Sequence, residues 1–391
     1  MKILFVTLSA LEVNTSVTKS NIGLLRGFKE LGHDVTILMP EVNKEAYYYD
    51  ASYDLTSFNI VRLTAGGLTQ SLANSNARAT GSLKKRLFKT LRSIYKYFTI
   101  YERSVKDYVR QIGGLGITDK HFDVVISTSD PKVSHYFVLK MIEKGLSYNR
   151  WIQHWGDPFS SDISRRSFYP RCFFQYIESS LYRKANKIVF VSPFTAAEQR
   201  ESHKKYANKI GFAPLVADVP TEETKDYTYK KNGILNVAYM GDYNSIIRNI
   251  MPLYNACSEL PFVKLTIAGH SDLILKTLDN ISVNKRLPSS EAAIIESNAD
   301  VIVSIANLKG TQIPGKIYYL ASSKKIIMIT MERDHKEEML KYLNSYNRFI
   351  MCDNTKDSIQ SLLKSIYEKD RPSFDTPRNL MASEVVSYLL A

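Results

Sequence analysis

The chain opens on a short, continuous apolar run, residues 2–8, which reads as a buried strand. Apolar positions Ile22, Leu24, Leu25, Phe28 and Leu31 then recur at helical spacing, Gly32 supplies a stop, and residues 34–39 form a second apolar run. Strand, helix, strand in this order predicts a parallel βαβ unit. Further strands are predicted at 60–63, 123–127, 150–154 and 187–191, with helical patterns between most of them. A helix-like segment follows Pro193, and the polar stretch 214–232 reads as a linker. The alternation then begins again at 235–240, 263–268, 300–305, 325–330 and 348–351. The pattern predicts two successive α/β domains, Rossmann-like and doubly wound, spanning 1–200 and 215–372. Open parallel sheets bind ligands at the carboxyl ends of their strands, so two such domains facing a central cleft are expected to bind there.

At 391 residues there is enough chain for two cores of ordinary size. With 44% hydrophobic and 23% charged residues, disordered, collagen-like and coiled-coil classes are excluded. The surplus of 52 Lys+Arg over 39 Asp+Glu, +13, attracts polyanions: nucleic acid, anionic lipid or phosphorylated substrates. Cys172, Cys257 and Cys352 are odd in number and lack CxxC spacing, which points to a reducing, cytoplasmic setting and away from structural zinc. Residues 1–9 lack the features of a cleaved leader and read as the first strand. No stretch approaches the roughly 18 apolar residues of a spanning helix, so membrane contact is expected to be peripheral.

Three segments carry candidate chemistry. Gly241, Asp242 and Arg248 lie between a predicted strand and a helix expected over 250–260. A glycine there permits close backbone approach, and an arginine in the first helical turn suits a pyrophosphate; a tight turn with a solvated arginine is the other reading. A similar turn containing Gly269 closes the next strand. The segment 307–321 follows the 300–305 strand and enters a helix through Pro314 and Gly315. It brings Gly310, Thr311 and Lys316 to the carboxyl edge of the sheet. Lys316 is either a partner for a phosphate or a solvated first-turn lysine.

These segments resemble the GT-B glycosyltransferases, and most nearly the family 4 retaining enzymes of bacterial surface polysaccharide synthesis. That family's glycine–proline–lysine–Leu-Ala segment is matched by Gly310, Pro314, Lys316, Leu320 and Ala321. The resemblance implies that Gly241 and Arg248 hold the donor diphosphate of a nucleotide-sugar, with Lys316 matching the family's lysine; Gly269 is placed with the donor site and reads otherwise as only a turn. The resemblance also implies a hexosyltransferase-like activity, a saccharide or lipid-linked acceptor on the first domain, and a last helix within 373–391 returning to that domain. Donor-phosphate assistance is the expected route to retention, so no pair of catalytic carboxylates, metal or other cofactor is expected. Two departures stand out. Tyr318 and Tyr319 occupy the place where the family has a ribose-binding glutamate, with Tyr318 taken as donor-binding, and the first loop, 8–16, lacks the family's paired glycines.

In the first domain His154, Trp155, Asp157 and Pro158 end a strand where similar enzymes carry an acceptor-facing loop. Asp157 reads either as a group that orients or deprotonates an acceptor hydroxyl or as an Asx-turn residue before proline. His154 has the alternative of a packed core histidine. Residues 83–98 form an amphipathic pattern with six basic and no acidic residues, and Arg165, Arg166 and Arg171 add a basic, aromatic stretch. That pattern suits an anionic membrane at the inner face of the cytoplasmic membrane and equally a helix docked on its own sheet. A sugar-nucleotide epimerase and a degenerate GT-B binding subunit are the rival readings. The spread of basic residues over both domains, without a nucleic-acid motif, argues against nucleic acid.

Overall fold

A computed structural model describes residues 1–42, 44, 49–50, 53–64, 97–101, 104–163, 167–217, 233–332, 336–369 and 374–391. The chain divides into two compact units, one of Met1–Pro214 with Ala382–Ala391, the other of Leu215–Met381. The predicted basic helix, apart from residues 97 and 98, together with Arg165, Arg166 and most of the predicted linker, lies outside the described residues.

The first unit holds β1 (Lys2–Val6), α1 (Ser16–Glu30), β2 (Asp34–Pro40), β3 (Asn59–Leu63), α2 (Ser104–Gln111), β4 (His121–Thr128), α3 (Val133–Glu143), β5 (Ser147–Trp155), α4 (Arg171–Tyr182), β6 (Lys187–Phe190), α5 (Pro193–Ser202) and β7 (Ile210–Phe212). Its strands pair in parallel in the order β3-β2-β1-β4-β5-β6-β7. Helices cover both faces of such a sheet, so its central strands are buried on both sides and read as unbroken apolar runs. Residues 3–6 of β1 are wholly buried. Thr15 starts α1 by accepting the N–H of Thr18, and Gly32, at φ +69°, turns the chain out of it, a conformation L side chains rarely adopt.

The second unit holds β8 (Leu235–Met240), α6 (Met251–Ser258), β9 (Val263–Ala268), β10 (Ile281–Asn284), α7 (Ser289–Asn298), β11 (Val301–Ile305), α8 (Gly315–Tyr319), β12 (Ile326–Met331), α9 (Lys336–Asn344), β13 (Ile350–Asp353) and α10 (Lys356–Glu368). Its parallel order is β10-β9-β8-β11-β12-β13. Strand order therefore reverses between β1 and β4 in one sheet and between β8 and β11 in the other. At such a switch point neighbouring loops leave the sheet edge in opposite directions and open a crevice.

Two strands escape the sequence pattern. β7 has three residues and a central glycine, and β10 has four with alternating polar positions; both are edge strands. The helix after Arg248 also begins later than the pattern suggests, at Met251.

The last helix, α11 (Ala382–Leu390), packs on α1 within the first unit. Gly27 allows the approach: a Cβ there would meet the Ala382 carbonyl oxygen and lie 2.6 Å from Val386 Cγ2. We expect Gly27→Ala to destabilise the protein by about 1–3 kcal/mol through overpacking, although alanine is favoured over glycine in a helix by about 1 kcal/mol. Urea unfolding checks the sign, and a stabilised variant would remove Gly27 as the reason for the close packing.

Candidate functional site

At the carboxyl edge of the second sheet, β8 gives way to a compact loop instead of leading straight into α6. Asn244 and Arg248 exchange backbone hydrogen bonds of 3.2 Å, and Asn244 Oδ1 accepts the N–H groups of Ile246 and Ile247. Arg248 therefore stands before the helix, not in its first turn. Its Nε donates to Asn307 Oδ1 at 2.9 Å and its Nη1 to the Asp242 carbonyl at 3.4 Å. Asn307 follows β11, so this bond spans the switch point. The Leu308 N–H, donating to the Ile247 carbonyl at 2.8 Å, spans it again.

The loops after β8 and β9 are joined as closely. A Cβ on Gly269 would collide with the Gly241 carbonyl and lie 2.6 Å from its carbon, so only glycine fits. A Cβ on Gly241 would make ordinary contacts with the Tyr239 ring, so no steric demand fixes that glycine. Asp242 accepts the His270 N–H at 2.9 Å and lies 4.0 Å from Arg286, while Asp272 accepts from Ser245 N and Oγ.

Lys316 lies in α8, which has only five residues before a 3-10 turn, so its own ammonium, more than a helix dipole, brings positive charge to this edge. That ammonium donates to the Met240 carbonyl at the end of β8 and pairs with Glu296 of α7. Gly310, at φ +82°, turns the preceding loop, in which Thr311 is half-buried, and Pro314 sits at the helix start. Behind it, fully buried Arg348 donates to the carbonyls of Ala321, Ser323 and Lys325, closing the far end of the turn.

Tyr318 is fully buried; its hydroxyl bonds Tyr342, which bonds Tyr346 in turn, and burial holds its pKa well above the ordinary value. Helical geometry instead sets Tyr319 along Gly315, with its hydroxyl 3.4 Å from where a Gly315 Cβ would stand. Of the two tyrosines, Tyr319 is thus the one beside the loop.

The first unit gathers a second set of groups at its own carboxyl edge. Lys132, buried just after β4, donates to Asp130 and Asp162, each at 3.0 Å. Burial alone would lower its pKa, but Asp130, Asp162 and Asp157 hold it above the ordinary value. Asp157 is half-buried in a loop whose next residues are pinned by Glu178: one carboxylate oxygen accepts Phe159 N at 2.6 Å and Ser160 N at 3.0 Å, and the other meets His203 at 3.0 Å. Trp155 lies wholly inside the core, stacked on Phe190 with the His135 ring tilted against it at 4.1 Å, its indole N–H donated to Gln153. His154 is 1% exposed, and neither ring nitrogen has a hydrogen-bond partner. Thr128, its register partner on β4, shares its sheet face and also has a buried, unpartnered hydroxyl.

Sequence reasoning passed over Lys132, Asp130, Asp162, Glu178, Asn307 and Glu296 as site residues. The Ser129-Asp-Pro-Lys132 stretch at a strand end was a usable signal; nothing near Glu178 or Glu296 in the chain announces their partners. Among the described residues no helix is long and apolar enough to cross a membrane.

Burial lowers the His154 pKa to about 4, against an unfolded value of about 6.5. The unfolded chain then binds the extra proton first, so His154 contributes stability above about pH 6.5 that is lost as pH falls toward about 4, on the order of 3 kcal/mol in all. Urea unfolding across that window should show the fall, and His154→Gln should flatten it; an unchanged slope would contradict the assignment. Gly269→Ala should separate the β8 and β9 loops and lower the melting temperature, whereas Gly241→Ala should fold normally.

No family model matches the chain, and no curated protein matches it in sequence. Solved structures do match. Sucrose-phosphate synthase from Thermosynechococcus elongatus superposes with a TM-score of 0.57 at 13% identity, over 99% of this chain and 94% of that one. Anabaena HepE in complex with UDP and glucose gives 0.56 at 10%, over 100% and 94%. The E. coli trehalose-6-phosphate structure bound with UDP-2-fluoro glucose gives 0.55 at 9%, over 100% and 95%. At these identities the likeness concerns the fold, and together with the two parallel sheets it establishes that this chain has the GT-B fold.

Proposed function

We propose that the protein is a glycosyltransferase that moves a sugar from a nucleoside-diphosphate donor to a saccharide or lipid-linked acceptor. The observation that carries this reading is the meeting of Arg248, Asn307 and Lys316 at the switch point of the second sheet, where β8 and β11 end. The solved structures that share the fold include one bound with UDP and glucose and one with UDP-2-fluoro glucose, which supports a donor of the same class.

In this reading the donor diphosphate lies against the loops bearing Gly241, Gly269, Gly310 and Thr311. Arg248 and Lys316, and no metal ion, balance the charge that develops on it. Glu296 competes with the diphosphate for the Lys316 ammonium, so donor binding draws the lysine from its ion pair. Tyr319, with Gly315, borders the place of the ribose. The bond from the anomeric carbon to the diphosphate breaks as a bond to the acceptor oxygen forms on the same face, giving retention. The proton of that hydroxyl leaves with the departing phosphate. Asp157, in the loop fixed by Glu178, orients the acceptor hydroxyl on the first unit. We place this activity in bacterial surface polysaccharide synthesis, in the cytoplasm at the inner membrane face.

Titration calorimetry with UDP, GDP and ADP tests the donor site. One nucleotide should bind, and Arg248→Ala and Lys316→Ala should each weaken it by about 10- to 100-fold, the range for losing a hydrogen bond to a charged group. Unchanged affinity in both variants would refute the assignment.

A further inference from the structure

Aromatic side chains gather on the surface of the first unit, where the connections that follow β3 and β5 meet the start of α4. Tyr97, Phe98 and Phe168 are 41%, 52% and 61% exposed, although apolar rings of this size are ordinarily drawn inward. They come from two chain segments far apart in sequence that the backbone joins: Phe168 N–H donates to the Tyr97 carbonyl at 3.0 Å, and the Tyr169 hydroxyl to the Phe98 carbonyl at 3.3 Å. The rings touch, with Phe98 and Phe168 centroids 5.3 Å apart and Tyr97 and Phe98 5.1 Å apart. Phe168 continues through Tyr169 to Phe173, stacked at 4.7 Å, and one helical turn further along α4 stands Tyr176, 72% exposed. From Tyr97 to Phe173 the rings form one connected aromatic surface, joined by backbone hydrogen bonds, with Tyr176 exposed one turn further on, and not a scatter of single exposed residues.

Charge identifies its occupant. Residues 83–98, which end in Tyr97 and Phe98, carry six basic and no acidic side chains, and Arg165 and Arg166 precede Phe168 by two or three positions. Arg171, half-exposed and paired with Glu198 at 2.9 Å, follows it. Apolar phenylalanine rings beside tyrosines that add a polar tip, in chain segments rich in basic residues, match the chemistry of the headgroup layer of an anionic bilayer, where rings settle among the headgroups and cations meet phosphates. A second copy of this chain fits poorly, because it brings the same surplus of +13 to the contact.

We infer that Tyr97, Phe98, Phe168 and Tyr176 form a docking surface for an anionic membrane. The inference rests on the membrane-face location proposed above and not on the transfer chemistry. Cosedimentation tests it with vesicles of phosphatidylcholine alone and of equal parts phosphatidylcholine and phosphatidylglycerol, with no nucleotide or sugar present. The protein should sediment with the mixed vesicles and not with phosphatidylcholine alone. Phe98→Ser/Phe168→Ser should lose about tenfold in affinity per ring with an unchanged melting temperature. Tyr176→Ser, at an exposed helical position, serves as the second variant should the first fold poorly, and should also weaken binding. Overturning results are wild-type protein that ignores the mixed vesicles, variants that bind as well as wild type, or a dimer that the substitutions convert to monomer. Calorimetry with nucleotides on the same preparations separates a failure of this surface from a failure of the donor site.

Discussion

In both sheets every strand pairs in parallel, so every strand leaves the sheet at the same edge. The loops of each unit are thereby collected on one side, and strand order reverses once in each sheet, at β1/β4 and at β8/β11. The second unit uses this constraint to bring together residues that are distant in sequence. Arg248 and Asn307 meet across the reversal, and Lys316 reaches back to the last carbonyl of β8. An antiparallel pairing at either strand would send one of those loops to the opposite edge.

Close backbone contact then fixes what the sheet has gathered. Gly269 lets the β9 loop rest on Gly241, and Gly27 lets α11 rest on α1. In neither place does the glycine act through its own flexibility; what matters is the atom that approaches it. The buried carboxylate of Glu178 works in the same direction on the first unit. Its two oxygens hold the loop after Asp157 and the ring of His203, because a buried carboxylate left without donors would be strongly destabilising.

The two carboxyl edges differ electrostatically. On the second unit Arg248 and Lys316 border a carbonyl-lined turn, with Glu296 paired to Lys316 and Asp242 lying near Arg286. On the first unit one buried lysine faces three carboxylates, a balance suited to neutral hydroxyl groups more than to phosphates. Burial keeps His154 neutral at the first edge, which ties the stability of that unit to mildly acidic pH.

The strand pattern, the two successive α/β segments, the loop bearing Gly241 and Arg248 and the turn into the helix of Lys316 were legible in the sequence, because strands buried on both faces must be continuously apolar and their loops must be polar. The edge strands β7 and β10 were not, being too short and mixed to leave a pattern. Which tyrosine lies beside Gly315, and which is locked to Tyr342, depended on the direction of one short helix. The pairing of Lys132 with Asp162, the partners of Glu178 and Lys316, the need for glycine at 27 and 269, and the meeting of Tyr97 with Phe168 were decided only by the tertiary structure. Each depends on groups tens to hundreds of residues apart, and local pattern carries no information about which distant atom arrives.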